Sequence, residues 1–272
     1  MRHIDWEDLP TPVRGEVEAR TGRVRAARTA SAGVNSELAA VVDTDSGTVF
    51  IKGLPADHRG AVWQRREAAI NPYVRSVAPA LLWHDIAAGW DVLAFESLDD
   101  ARHADYAPGS ADLDRVVAVM RELAAIACPD LPELRPAAQR WARYTAPGDD
   151  PALLDGGALL HTDLTPLNIL ISPDRTNIID WACPTTGAAF IDPACLLIRA
   201  IVTGHDAEQA EALAARCPGW TDADPAAIDV FARVNVTLWD EIARADPRPW
   251  KLAVARAARD WASHRHADRA VG

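Results

Sequence analysis

His161-Thr-Asp-Leu-Thr-Pro-Leu-Asn-Ile-Leu170, HTDLTPLNIL in one-letter code, puts a histidine, a carboxylate (Asp163) and a carboxamide (Asn168) just ahead of a run of β-branched and leucine side chains. The residues that follow fit two short strands, 169–171 and 177–180, joined by the turn SPDRTN. Antiparallel neighbours lie about 4.8 Å apart, so such a hairpin is expected to bring Asn168, before its first strand, close to Asp180, at the end of its second.

A carboxamide oxygen and a carboxylate at that separation can share a hard cation. Mg²⁺ suits them, because it takes one or two protein oxygens and completes its octahedron with water and phosphate oxygens. Asp163 would stand beside the cation without ligating it, the place for a base that accepts a hydroxyl proton. An isolated H-x-D, or a D-x-x-x-x-N alone, is usually a polar turn. The two together, with Ile179-Asp180-Trp181 one hairpin downstream, form a far more specific pattern.

The rest of the chain bounds what this pattern can serve. With 272 residues it can hold one large domain or two lobes, and its net charge of −11 argues against a nucleic-acid partner, which needs surplus Lys and Arg. Four cysteines, at 128, 183, 195 and 217, have no zinc-like spacing and read as reduced thiols. The acidic start has no apolar signal segment, and the apolar run PACLLIRAIV is too short to span a bilayer and carries Arg199. A cytoplasmic protein that engages no membrane is expected.

Up to about residue 97 the pattern is of strands with one helix. SELAAVVDTD and GTVFIKGL form a hairpin in which Val49 and Ile51 share one face, Phe50 and Lys52 the other. RGAVWQRREAAI is helical and GWDVLAFE a buried strand. After residue 98 helices dominate: one from Ser110 as N-cap, then roughly 191–203, 207–216, 225–245 and 249–266. Asp206 with Gln209 forms a capping box, and Asp224-Pro225 an N-cap and first helical residue. A first lobe over 1–97 and a second over 98–272 are expected.

The motif H161-x-D163-x-x-x-x-N168 followed by I179-D180 is similar to the catalytic loop and metal-binding Asp of the aminoglycoside phosphotransferase family, small-molecule kinases built like protein kinases. The resemblance runs from about residue 22 to about 203. It implies an α+β, bilobal, protein-kinase-like fold, with a small antiparallel β-rich N-lobe carrying one helix and a larger, mainly helical C-lobe. It also implies ATP and Mg²⁺ as cofactors, Asp163 as catalytic base, Asn168 and Asp180 as metal ligands, and His161 as a structural anchor.

A kinase of this build needs a strand lysine for the α- and β-phosphates, oriented by a helical glutamate. Lys52 and Glu67 stand in those places, and Lys52 is one of only two lysines in a chain with 28 basic residues. The resemblance further implies Ser31, Gly33 and Asn35 in a nucleotide-covering loop, although no G-x-G-x-x-G is present. Backbone groups of Phe95 and Ser97, after the buried strand, are the expected adenine partners. Two departures stand out: Thr162 where the family often has glycine, and Thr165 where protein kinases carry a lysine. The second argues against a protein substrate.

For the acceptor, Asp192, Asp222, Asp224, Asp229, Asp240 and Glu241 would favour a polyamine if several faced a cleft; as caps and solvated helix faces they would not. Trp220, Trp239, Trp250 and Trp261 would stack on a sugar or nucleoside, or fill the core. Three readings stay open: a kinase of an aminoglycoside or other hydroxylated antibiotic, a metabolic kinase of an amino alcohol, sugar or nucleoside, and a nucleotide-binding pseudokinase acting as an interaction module. The retention of Lys52, Asp163, Asn168 and Asp180 favours the first two.

Overall fold

The structure, a computed structural model, describes residues 4–30, 36–98 and 100–271. It divides into two compact units, Met1–Arg102 with Leu170–Ala182, and His103–Ile169 with Cys183–Gly272.

In the first unit, α1 (Thr11–Thr21) precedes an antiparallel sheet of β1 (Val24–Thr29), β2 (Leu38–Thr44), β3 (Gly47–Pro55), β4 (Leu81–Ala87) and β5 (Trp90–Glu96). The strands lie in the order β1-β2-β3-β5-β4, and α2 (Ala61–Ile70) follows β3. The period-2 alternation of β3 works as expected: Val49 and Ile51 join a core with Leu38, Ala40 and Val42 of β2 and Val92 and Ala94 of β5. Lys52 is thereby placed on the opposite face. The expectation of a single helix in this region is corrected, because α1 contributes Val13 and Val17 to that core. Its Gly15 and short apolar stripe leave little helical signal in the sequence.

The chain passes between the units at three points, within β6 (Arg102–His103), within β9 (Ile169–Ile171) and between Ala182 and Cys183. The second unit opens with α3 (Asp112–Ala124), which buries Leu113, Val116, Val117, Met120 and Leu123 as the 3.6-residue pattern requires. Ser110 is not its N-cap; the helix starts one residue later, behind Ala111, and Ser110 Oγ accepts from Asp112 N at 3.3 Å. Next come β7 (Arg135–Pro136), α4 (Ala137–Trp141) and β8 (Ala158–Leu160).

β9 leads into β10 (Thr176–Ile178) through a turn closed by Ser172 N–H donating to Arg175 O at 3.0 Å. Arg175 anchors this segment in the first unit, with bonds to Glu96 (3.0 Å) and to Ala78 O (3.1 Å), and Ile178 N donates to Val77 O at 2.7 Å.

β11 (Thr185–Gly187) pairs with β7 and β8 in a three-stranded sheet of the second unit. Four helices complete that unit: α5 (Ile191–Val202), α6 (Ala207–Ala214), α7 (Pro225–Ala245) and α8 (Pro249–Val271). The Asp206–Gln209 capping box and the Asp224 cap on Ala226 N are both formed. Among the described residues no helix is long and apolar enough to cross a membrane.

Candidate active site

Residues with kinase-like chemistry gather in each unit. In the first, Lys52 on β3 is buried and forms ion pairs with Glu67 of α2 and, at 3.3 Å, with Asp180 just beyond β10. Burial works against the lysine charge, but the two carboxylates outweigh it and hold the ammonium above its ordinary value. Glu67 is buried as well, so the sequence pairing of Lys52 with Glu67 is a contact in the structure. Asp180 adopts a left-handed backbone, φ 63°, a conformation that Asp tolerates better than most residues.

Phe95 sits inside β5 opposite Phe50 and Leu81, its ring 5.9 Å from Lys52 Nζ, and Ser97 lies one residue past the end of the strand. Ser31, Gly33 and Asn35 lie outside the described residues.

In the second unit the opening motif is held by a dense set of hydrogen bonds. His161 is buried, and its Nδ1 accepts from the Asp163 N–H at 3.2 Å. The buried Asp192 at the start of α5 accepts from the N–H groups of His161 (2.8 Å) and Thr162 (2.7 Å). Burial pushes the Asp192 carboxyl above its ordinary value, while His161 and the two amides pull it back.

Thr162, φ 71°, adopts the left-handed conformation that favours glycine. Its side chain offsets that strain: Oγ1 accepts from Arg140 at 2.7 Å and donates to Cys183 O at 3.3 Å. The same Arg140 nitrogen also reaches Cys183 O (3.0 Å) and Thr185 Oγ1 (2.6 Å).

Asn168 ends a 3-10 turn and is buried. Its Nδ2 donates to Asp163 O at 2.9 Å and Asp163 Oδ2 at 3.2 Å, which turns the carboxamide oxygen away from Asp163. That oxygen on Asn168 in the second unit, and the carboxylate of Asp180 in the first, are each of the hard-donor type that Mg²⁺ prefers. No metal-holding cluster of three or more His, Cys, Asp or Glu occurs among the described residues. The other oxygen of Asp163 accepts from Arg199 Nη2 of α5 at 3.0 Å.

Arg199, Arg140 and Asp192 were not assigned to the loop on sequence grounds. Arg199 left a trace there, as one charge inside an otherwise apolar helix. Asp192 is corrected from a possible acceptor contact to a buried clamp on the loop backbone.

The model of the phosphotransferase enzyme family (APH) matches residues 94–226. In structure the chain is similar to the choline kinase LicA from Streptococcus pneumoniae, at 15% identity over 92% of this chain and 98% of that one, with a TM-score of 0.63. It is also similar to a thermostable mutant of the aminoglycoside phosphotransferase APH(4)-Ia in complex with ADP and hygromycin B: 14% identity, 91% and 98% covered, TM-score 0.55. A third similar structure is the spectinomycin phosphotransferase APH(9)-Ia with ADP and spectinomycin, at 11% identity, 92% of each chain covered, and a TM-score of 0.57. No curated protein matches the chain in sequence. Residues 94–226 thus match the model of the phosphotransferase enzyme family, and the chain shares its fold with these kinases.

Proposed function

We propose that the chain transfers the γ-phosphoryl group of ATP to a hydroxyl of a small molecule, with hydroxylated antibiotics, aminoglycosides among them, the first class to test. The observation that carries this reading is the buried Lys52, held by two carboxylates from separate elements, Glu67 on α2 and Asp180 beyond β10. A lysine fixed in this way is a preset site for phosphate oxygens, which a merely structural ion pair would not require.

In the proposed reaction the acceptor oxygen attacks the γ-phosphorus as the bond to the β–γ bridging oxygen breaks, and ADP leaves. Asp163 orients the hydroxyl and takes its proton. Lys52 neutralises charge on the phosphates, and Glu67 holds Lys52 in place. Mg²⁺, held by Asn168 and Asp180, would supply the remaining neutralisation of the phosphate oxygens. Residues 1–97, with Ser31, Gly33, Asn35, Phe95 and Ser97, would serve the nucleotide, and 98–272 the acceptor.

The test is Mg²⁺-dependent ADP release over a panel of aminoglycosides, other hydroxylated antibiotics, amino alcohols, sugars and nucleosides, beside Asp163→Asn. Turnover on one chemical class, lost in the variant, is expected. Undiminished turnover in Asp163→Asn would remove the base assigned here, and a chain that fails to bind Mg·ATP would be a pseudokinase.

A further inference from the structure

α2 turns Ala61, Gln64, Glu67 and Ile70 inward, so two of the four residues on its buried face are polar. Apolar contact is non-directional, and a helix docked by it alone can roll or slide by small steps. This helix is instead pinned at three successive points by directional bonds. Gln64 Nε2 donates to Asp91 O at 2.9 Å and to Asp91 Oδ1 at 2.8 Å. Glu67, about one turn on, pairs with Lys52. Asn71, at the C-terminal end, donates to Pro79 O at 2.8 Å and accepts from Leu81 N at 2.7 Å. Glu67 is thus bracketed, by Gln64 before it and Asn71 after it.

Gln64 and Glu67 meet neighbouring rungs of the sheet. Lys52 of β3 stands opposite Leu93 of β5, and Leu54 stands opposite Asp91. Residues two apart on a strand share a face, so Asp91 and Lys52 approach α2 from the same side. Asp91 is fully buried, and His84 Nε2 on β4 lies 3.0 Å from its Oδ1. The carboxylate that receives Gln64 is therefore itself held by the adjacent strand. Gln64 Oε1 and Asp91 Oδ2 have no protein partner among the described residues. An apolar pair of similar volume would bury no such groups, so cohesion alone does not account for this contact.

We propose that Gln64 and Asp91 are positioning residues for the nucleotide phosphates, acting through Glu67 on Lys52. The proposal rests on the kinase reading above and deepens it. Without Gln64, Glu67 keeps a directional tether on one side only. Lys52 is then drawn toward its second partner, Asp180. There it would be less available to phosphate oxygens, and would occupy a carboxylate that the kinase reading assigns to Mg²⁺.

Gln64→Met keeps the length of the side chain and removes both donations; Gln64→Leu repeats the deletion with a second shape. Titration calorimetry on the full chain compares Mg·ATP with adenosine, which has the base and ribose but no phosphate. The expected Kd for Mg·ATP rises about tenfold in Gln64→Met, the worth of one charge-assisted bond, while that for adenosine stays within about twofold. Asp91→Asn, which keeps an oxygen acceptor for Gln64, should hold Mg·ATP within about threefold of the parent. In a Glu67→Gln background, Gln64→Met should weaken Mg·ATP by less than about twofold further, because coupled residues are not additive.

Unchanged Mg·ATP affinity in folded Gln64→Met and Gln64→Leu would overturn the proposal. An equal loss for adenosine would also overturn it, as general damage to the unit. So would full additivity with Glu67→Gln, which would mean that Gln64 acts by another route. The kinase reading survives each of these results, whereas a parent chain that binds no Mg·ATP would remove both.

Discussion

Asp192 and Thr162 meet through a 2.7 Å hydrogen bond from the Thr162 N–H to Asp192 Oδ1, and Thr162 carries the left-handed backbone of the pair, φ 71°. A β-branched residue in that region costs on the order of 1–3 kcal/mol and persists only where its surroundings over-determine it. Asp192 and Arg140 supply that constraint, one on the backbone and one on the side chain.

Asp192→Ala should therefore be costly. It strands two amide N–H groups, one on the buried His161, and releases the turn that carries Asp163. A loss of about 3 kcal/mol is expected, which urea denaturation would read as a lower midpoint at constant m. Asp192→Asn, which keeps one oxygen acceptor, should lose less. A cost for Asp192→Ala well below 1 kcal/mol would show that the turn holds its shape without the clamp.

Lys52 separates stability from activity. Lys52→Met leaves Glu67 buried with no cation, and about 3 kcal/mol or more of stability should go with it. The double variant Lys52→Met with Glu67→Leu should recover most of that stability, because an apolar pair replaces an ion pair of similar volume. Both variants should release ADP at least a hundredfold more slowly than the parent chain. Full stability in Lys52→Met alone would contradict the burial argument; activity in the double variant would contradict the phosphate role.

Cys217 gives a pH dependence. Burial pushes its thiol from about 9 up to about 11. The folded state therefore keeps a proton that the unfolded chain gives up first, and stability from this group is complete below about 9 and lost between about 9 and 11. The loss amounts to about 3 kcal/mol. Denaturation midpoints at pH 8 and pH 11 should fall less steeply in Cys217→Ala than in the parent chain. Equal slopes would place the titration elsewhere.

Tyr106 is fully buried with a hydroxyl that finds no hydrogen-bond partner among the described residues, and burial drives its ionisation far upward. Removing an unsatisfied hydroxyl leaves the ring packing intact, so Tyr106→Phe should be neutral or stabilising by about 1 kcal/mol. A thermal melt that drops by several degrees would mean that the hydroxyl has a partner, such as a buried water.

What could be read from the sequence follows from which interactions are local. The β2–β3 hairpin, α2, and the capped helices α6 and α7 announce themselves through alternation, helical period and caps within a few residues. The Lys52–Glu67 pair was legible because the lysine stands out in an arginine-rich chain. α1 and the β7-β11-β8 sheet were missed, the former for its weak apolar stripe, the latter because it joins two- and three-residue strands far apart in sequence. Arg199 meets Asp163 from 36 positions away and Arg140 meets Thr162 from 22, distances over which periodicity says nothing. Three of the acids on the C-terminal helices, Asp229, Asp240 and Glu241, pair with arginines that are likewise remote in sequence, Arg265, Arg259 and Arg143.

The side chain of Asn168 has two chemically unlike ends, and only a carboxamide can supply both. Its nitrogen donates to Asp163 and its oxygen is left over for a hard cation. Aspartate, the stronger metal ligand by charge, has no proton to give. In its place a second anion would stand about 3 Å from the first, and one of the two would take up a proton. A single-atom exchange, nitrogen for oxygen, would thus trade an oriented base for a shared acid. If Asn168 holds the metal and Asp163 is the base, as proposed, affinity for metal and readiness of the base would pull in opposite directions at one position, and asparagine is the residue that would satisfy both.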